Sequence, residues 1–135
     1  MPPHLDHIAI LVRNTDEALK FYRDTFGLEY RLSEVIEDVG VRLTHLDLGN
    51  LDLQLVEPLT DDHPLAKQLD ERGEHLHHLC LKVDDVPNEM ATWPTRGFRS
   101  KNAQPHRGPQ GRSAAFIDPS GTRGVQWEIT ADPPS

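Results

Sequence analysis

The sequence predicts an α+β fold made of two similar βαβββ modules, at about residues 4–58 and 75–131. The first supporting observation is an internal repeat. Residues 5–12 resemble residues 76–83, because each is an apolar, strand-like stretch with a histidine near its start. The second is that a short acidic segment and then a helix-like segment follow each stretch. The third is the length of 135 residues, which suits one core, so we expect residues 1–135 to form a single domain.

The helix of module one is marked by its two ends. After a strand at about residues 5–12, Asn14 is typical of an N-cap, and Glu17 completes a pair that resembles a capping box. Gly27 supplies a left-handed residue at which the helix is expected to end. The apolar residues at helical spacing, which we expect to be buried, are Ala18, Leu19, Tyr22 and Phe26.

Three strands and a linking helix are predicted next. The strands lie at about residues 28–36, 40–48 and 51–57. The pair Gly49-Asn50 is the expected turn between the last two strands. The linking helix covers about residues 63–72 and ends at Gly73. Its apolar face consists of Leu65, Ala66 and Leu69.

Module two repeats this plan with a shorter helix. That helix, at about residues 86–93, accepts Pro87 in its first turn, whereas Pro94 must end it. Gly108, Pro109 and Gly111 indicate a flexible loop before the next strand. The strands of this module are predicted at about residues 76–83, 98–102, 112–117 and 124–130.

The charge distribution bears on possible ligands. A formal net charge of −8 argues against nucleic acid as a partner, because phosphate binding favours a basic face. The charge is uneven, however, since residues 90–117 contain no Asp or Glu. This acid-free segment is either a solvated basic loop or a local anion site. Its basic and histidine side chains are Arg96, Arg99, Lys101, His106, Arg107 and Arg112.

The sequence also bears on the cellular compartment. Cys80 is the single cysteine, which excludes an internal disulfide and suits a reducing compartment. The apolar runs are far shorter than the ~20 residues needed to cross a bilayer. Residues 1–4 lack a basic region followed by an apolar stretch, so no secretory signal is expected. We therefore expect a soluble, cytoplasmic protein.

Four side chains on predicted strands are candidate metal ligands. His7 and His78 stand at matching points in the first strands of the two modules. Gln54 and Glu128 lie in the last strands, each between bulky apolar neighbours that alternation directs to the opposite face. If the modules pair with pseudo-two-fold symmetry, these two pairs meet. Two imidazoles and two oxygen donors suit Zn²⁺, Co²⁺, Ni²⁺ or Mn²⁺ and leave two positions for substrate.

Each of these residues also has an ordinary structural explanation. A single histidine at a strand start is usually structural, and a single Gln or Glu within a strand usually faces solvent. The coincidence of all four at equivalent points is what favours a metal site. The other histidines lack symmetric partners, and His77 should point away from the face of His78. These other histidines are His4, His45, His63, His75, His77 and His106.

Several segments resemble the glyoxalase/bleomycin-resistance, or vicinal-oxygen-chelate, superfamily over nearly the whole chain. The segments that carry this resemblance are residues 6–10, 16–22 and 26–28. Further segments are most similar to the methylmalonyl-CoA epimerase family within it. They are residues 54–59, 64–67, 72–79 and 124–128.

The resemblance implies both a fold and an activity. The fold is two paired βαβββ modules that form a curled mixed sheet around a metal-binding cleft, commonly in a homodimer. The implied ligands of one divalent metal ion are His7, Gln54, His78 and Glu128. The implied reaction is epimerisation of a 2-methyl-malonyl-type CoA thioester through an enolate. In that reaction the metal acts as a Lewis acid and Glu128 is one of two acid/base groups.

Two positions depart from the epimerase pattern. Some epimerases carry a glutamate as the second acid/base where this chain has Leu43. The family often has His-Pro-Lys-Ser near its end, whereas this chain reads Asp118-Pro119-Ser120-Gly121-Thr122, which is closer to the wider superfamily. Both departures leave the substrate open, and neither affects the ligand set.

The acid-free segment would have a use if the substrate is an acyl-CoA, because coenzyme A carries several phosphate charges. The candidate phosphate-binding residues are Arg99, Lys101, Arg107 and Arg112, with Arg123 as a further one. Alternative functions are a glyoxalase I-like lyase, a small dioxygenase or a non-enzymatic antibiotic-binding protein. Gln54 as a fourth ligand disfavours the dioxygenase, and the full ligand set argues against the binding protein.

Overall fold

The computed structural model describes residues 3–134, and its elements follow the predicted order. Residues 1, 2 and 135 lie outside the described residues, and two of them belong to the segment 1–4 in which no secretory signal is expected. None of the helices within residues 3–134 has the length and apolar character that crossing a bilayer requires.

The chain divides into two compact units, His7–His77 and a second that joins Met1–Asp6 to His78–Ser135. The first four strands are β1 (His4–Leu11), β2 (Glu29–Ile36), β3 (Val41–Asp47) and β4 (Asp52–Pro58). The helices are α1 (Thr15–Leu19), α2 (Pro64–Arg72) and α3 (Val86–Thr92). The later strands are β5 (His75–Lys82), β6 (His106–Arg107), β7 (Ser113–Phe116) and β8 (Trp127–Ala131). The α+β class with two βαβββ modules is therefore confirmed.

Strand pairing repeats from one module to the other. In the first, β1 runs parallel to β4, and β3 is antiparallel to both β4 and β2. In the second, β5 runs parallel to β8, which is antiparallel to β7, which in turn is antiparallel to β6. The first strand of each module thus pairs with its last strand. This places residues of the two ends of a module side by side.

The two faces of the β1–β4 sheet carry different residues. One face packs on α1 through a cluster that includes Ala18 and Leu19 of the helix and Leu46 and Leu55 of the strands. The opposite face, which we call the α1-distal face, has its own cluster, which Leu69 of α2 joins. Each fully buried leucine in these clusters contributes roughly 1.5–3 kcal/mol of apolar burial.

The second module shows the same division. The face that packs on α3 gathers Val86 and Trp93 with Ile117 and Ile129 of the strands. Alternation along β8 places Glu128 on the opposite face, which we call the α3-distal face. Each module therefore has one face against its helix and one face on which polar side chains are available.

The helix of module one differs from its prediction beyond Leu19. Asn14 is the N-cap, since its side chain accepts a hydrogen bond from the Glu17 amide, and Gly27 has the expected positive φ of 83°. Lys20–Thr25 is π-helical, however, and the Phe26 amide bonds the Phe21 carbonyl 2.7 Å away. The wider turn shifts the helical phase, so Phe26 is 64% exposed and its predicted burial is wrong.

Two predicted strands of module two also differ. Residues 98–102 form only an isolated bridge, Ser100 with Ile117, and the corresponding strand is β6 instead. Strand β8 begins at Trp127 and not at residue 124, because Gly124 has a φ of 86° and lies in a turn. The predicted flexible loop at Gly108 is a 3₁₀ turn in which Gly108 and Pro109 are buried.

His63 connects the β2–β3 turn to α2. Its Nε2 donates to the Val39 carbonyl at 2.9 Å, and its Nδ1 accepts from the Leu65 amide at 3.0 Å, which caps the helix. Both ring nitrogens are therefore engaged, and the ring is fixed. A Cβ placed on Gly40, whose φ is 76°, would lie 3.0 Å from the His63 Cδ2 atom.

We expect Gly40→Ala to destabilise the protein more than Gly49→Ala. Both glycines have positive φ, which costs a non-glycine residue about 1–2 kcal/mol. A Cβ at Gly49 meets nothing within 4 Å, whereas one at Gly40 meets the fixed His63 ring, and such overpacking adds about 1–3 kcal/mol. Urea unfolding of the two variants measures the difference. Equal losses would contradict this account of His63.

Candidate metal centre

The first unit buries His7 and Gln54 on its α1-distal face. In the parallel pairing of β1 with β4, Ala9 stands opposite Gln54, so His7 and Gln54 occupy neighbouring positions on one face. His7 is 4% exposed and Gln54 is 3% exposed. Buried imidazole and amide groups need polar partners, so this pair is not on a solvated face.

His45, which the sequence analysis left without a role, contacts Gln54 directly. Its Nε2 lies 3.0 Å from the Gln54 Nε2 atom, across the β3–β4 register that pairs the two residues. Its Nδ1 lies 2.9 Å from Oδ2 of Asp52, whose other oxygen accepts from Arg31 at 2.8 Å. The His45 ring is also 5.9 Å from the His7 ring, between centroids. His45 has no counterpart at the matching strand position of module two, where Phe116 pairs with Glu128, so a search for symmetric partners misses it.

The second unit brings His78 and Glu128 into contact on its α3-distal face. The His78 Nε2 atom lies 3.1 Å from Oε1 of Glu128, and the two side chains are 4% and 8% exposed. His106, a second histidine that symmetry did not indicate, places its Nε2 2.9 Å from Oε2 of Glu128. The His106 ring stacks on Phe116, with centroids 5.2 Å apart. His77 is partly exposed, whereas its neighbour His78 is buried.

The donor geometry in the second unit is compatible with a metal ion. Ligand distances near 2.0–2.2 Å and angles between 90° and 110° place two donor atoms roughly 2.9–3.4 Å apart. The separation of 3.1 Å between His78 Nε2 and Glu128 Oε1 falls in that range. The donors on the two units, imidazole with amide and imidazole with carboxylate, are groups that zinc and similar divalent ions accept.

Cys80 is a buried neighbour of this site. It stands opposite Glu128 in the β5–β8 pairing and is fully buried. Burial, and secondarily the carboxylates of Glu128 and Asp6, raise the pKa of the Cys80 thiol well above its ordinary value. The Cys80 thiol is therefore protonated at neutral pH as long as no metal ion binds it.

Leu43 supplies no acid or base. It is 7% exposed and packs on the α1-distal face with Ala9, Val56 and Leu69. The position where some epimerases carry a glutamate is therefore part of an apolar cluster in this chain. His45 lies two residues further along β3, on the same face as Leu43.

The predicted phosphate-binding residues have different surroundings. Arg112 donates to both oxygens of Asp6, at 3.0 and 3.2 Å, and also lies 3.3 Å from Asp132. Its guanidinium is thus engaged in an ion-pair network within its unit. Lys101 donates to Gln126 at 3.1 Å and is exposed. The other cations of this group that are exposed are Arg99, Arg107 and Arg123.

Asp118 lies beside two of these cations. The Ser120 amide is the main cause that lowers the pKa of the Asp118 carboxyl, and Arg99 and Lys101 add to it. The acid-free segment therefore meets a carboxylate that follows it directly in the sequence. Counting charges within the segment alone could not reveal this neighbour.

Comparisons with known proteins point to one superfamily. The family model of the glyoxalase/bleomycin resistance protein/dioxygenase superfamily matches residues 6–116. The uncharacterized protein YqjC of Bacillus subtilis (strain 168) is 31% identical over 125 residues, which cover 93% of this chain and 89% of that protein. The mitochondrial methylmalonyl-CoA epimerase of Mus musculus is 30% identical over 128 residues, 93% of this chain and 71% of the relative.

A solved structure extends the similarity to the fold. A single-residue variant of the methylmalonyl-CoA epimerase of Streptomyces coelicolor, in complex with 2-nitronate-propionyl-CoA, matches with a TM-score of 0.87 and 33% identity. The match covers 96% of this chain and 94% of that one. Because the family model spans most of the sequence and the fold agrees, the chain belongs to the glyoxalase/bleomycin resistance protein/dioxygenase superfamily.

Proposed function

We propose that this protein is a metal-dependent epimerase that inverts the α-carbon of a 2-methyl-malonyl-type CoA thioester. The observation that carries the proposal is that each unit buries one imidazole and one oxygen donor on the face opposite its helix. The similarity to epimerases, over 93% or more of the chain, supports the choice of reaction. The relatives and solved structures support an enzyme of the isomerase class, an epimerase. The S. coelicolor enzyme was crystallised with an acyl-CoA compound, which supports a CoA thioester as the substrate.

The proposed ligands of one divalent metal ion are His7, Gln54, His78 and Glu128. When bound, such an ion supplies Lewis-acid stabilisation of the negative charge that develops when the α-proton leaves. The contact between His78 and Glu128, both nearly excluded from water, supports the second pair of this set. His7 and Gln54, which lie on one face of their unit, support the first pair.

Glu128 is the proposed acid/base group on one face of the substrate carbon. Its two oxygens lie 3.1 Å from His78 and 2.9 Å from His106, so both are held by imidazole nitrogens. Inversion requires a proton to leave on one side and return on the other, which needs a second group. Leu43 cannot be that group, so this chain must use a group different from the glutamate of some epimerases.

Binding of the CoA phosphates is assigned in the proposal to the exposed cations of the acid-free segment. Arg112 is less suitable than the sequence suggested, because its guanidinium is already paired with Asp6 and Asp132. Arg99, Lys101 and Arg107 are exposed and remain in the proposal.

A second candidate is another metal-dependent activity of the superfamily, such as that of a glyoxalase I-like lyase. The burial of Leu43 in an apolar cluster is the observation that favours it. The same buried donors would serve such an enzyme, so the metal alone cannot distinguish the two. A non-enzymatic antibiotic-binding protein would have no need for buried imidazole–oxygen pairs.

We expect the protein with Co²⁺ to exchange the α-proton of methylmalonyl-CoA for deuterium in D₂O, as followed by proton NMR. Glu128→Gln should slow this exchange by about 10²–10⁴-fold, because it removes a general acid/base group. The control is the Glu57→Gln variant, whose carboxylate bonds Thr15 elsewhere in the fold. Absence of exchange by the unmodified protein would favour the glyoxalase-like candidate instead.

His78→Ala should weaken Co²⁺ binding by more than about 100-fold, because loss of a ligand exceeds the 10–100-fold effect of losing an outer partner. Isothermal titration of the purified apoprotein measures this dissociation constant. His77→Ala is the matched control, since it removes the adjacent imidazole of the same strand from outside the proposed ligand set. Similar weakening by both variants would count against the ligand set.

Arg99→Gln and Arg107→Gln should each raise the KM for methylmalonyl-CoA about 2–5-fold, the size expected for an exposed charge contact. Their KM for a truncated thioester without phosphates should not change. Arg112→Gln should instead lower the thermal stability, because it leaves Asp6 without this partner. If either variant raised the KM for the truncated thioester as much as the KM for methylmalonyl-CoA, a phosphate contact of that arginine would be excluded.

A further inference from the structure

Gln54 has a requirement that Glu128, the carboxylate of the proposed ligand set, lacks. A carboxylate presents oxygen from either of its two positions, whereas an amide that rotates by half a turn presents an NH₂ group in place of its oxygen. An NH₂ group repels a cation. A glutamine therefore binds a metal ion more tightly if another group already fixes the orientation of its amide.

The contacts of His45 determine that orientation. The Asp52 carboxylate can only accept a hydrogen bond, so the His45 Nδ1 atom, 2.9 Å from it, carries the proton. The Nε2 atom of the ring then accepts, because the NH₂ group of Gln54 that faces it can only donate. The Gln54 Nε2 atom, 3.0 Å away, is the donor, and the amide oxygen of Gln54 points elsewhere.

The chain of contacts continues to β2 and is shielded from water. Arg31 donates to the remaining Asp52 oxygen at 2.8 Å, which fixes the carboxylate. The His45 and Asp52 side chains are 5% and 16% exposed, and Gln54 is 3% exposed. Little water is available to replace a lost partner of the Gln54 amide, so the orientation depends on His45.

We propose that His45 is a positioning residue, which Asp52 holds in one tautomer, and which directs the amide oxygen of Gln54 toward the metal ion. This inference rests on the proposed function, because it requires Gln54 to be a ligand. His45 itself does not bind the metal in this proposal, since its two ring nitrogens are used by Asp52 and Gln54.

The test is a double-mutant cycle on Co²⁺ affinity, measured by titration of the apoproteins without substrate. We expect His45→Phe to raise the dissociation constant about 10–100-fold, the effect of removing a group that orients a ligand. Gln54→Ala should raise it at least as much. The double variant should bind no more weakly than Gln54→Ala alone, because His45 acts only through Gln54.

Two further variants separate positioning from a loss of structure. His45→Gln restores an acceptor near the Nε2 position, so its affinity should lie closer to that of the unmodified protein than to that of His45→Phe. Thr44→Val is the stability control, because it removes the hydrogen bond to Ser33 on the same strand but on the opposite face. It should lower the unfolding midpoint and leave the Co²⁺ affinity unchanged.

The outcomes distinguish the inference from the function on which it rests. If Gln54→Ala leaves Co²⁺ affinity unchanged, the proposed ligand set fails, and this inference fails with it. If Gln54→Ala weakens binding but His45→Phe does not, only the positioning role is refuted. Additive losses in the double variant would also refute it, since they would make His45 a ligand in its own right.

Discussion

The two-residue period of the β-strand is the constraint on which both the core and the candidate site depend. Because successive side chains point to opposite faces, the same strand can pack on a helix and present a ligand. On β8, Ile129 joins the cluster beneath α3 while its neighbour Glu128 meets His78 on the other side. A shift of one residue in the strand pairing would turn the apolar side chains away from the helix and the polar side chains toward it. Burial of the apolar side chains therefore also fixes the positions of the polar ones.

Much of this arrangement could be predicted from the sequence because it is encoded locally. Asn14 and Gly27 carry their own signals for a helix start and stop, and both function as expected. The repeat of a histidine at the start of two apolar strands predicted two equivalent modules, and these form with the same strand pairing. All four candidate ligands are buried, whereas the sequence predicted only that Gln54 and Glu128 face away from their apolar neighbours.

Other features depend on contacts that no local pattern contains. The π-helical turn after Leu19 rotates Phe26 into solvent, although its spacing is that of a buried residue. The contacts of His45 with Gln54 and of His106 with Glu128 depend on strand pairing. The sequence did not predict them, because neither histidine has a histidine counterpart in the other module. The role of Arg112 likewise depends on Asp6, which lies 106 positions earlier in the chain. Sequence symmetry therefore indicates the candidate ligands and misses the residues that contact them.

The pair of Asp6 and Arg112 also has a consequence for the nascent chain. The unit His7–His77 is continuous, so all of it is synthesised before Arg112 is added. At 5–20 residues per second, translation from His77 to Arg112 takes roughly 2–7 seconds, far longer than a small sheet needs to form. During this interval the Asp6 carboxylate lacks its partner Arg112. The order of synthesis therefore favours folding of the unit His7–His77 before the other unit. The similar topology of the two units would not by itself favour either order.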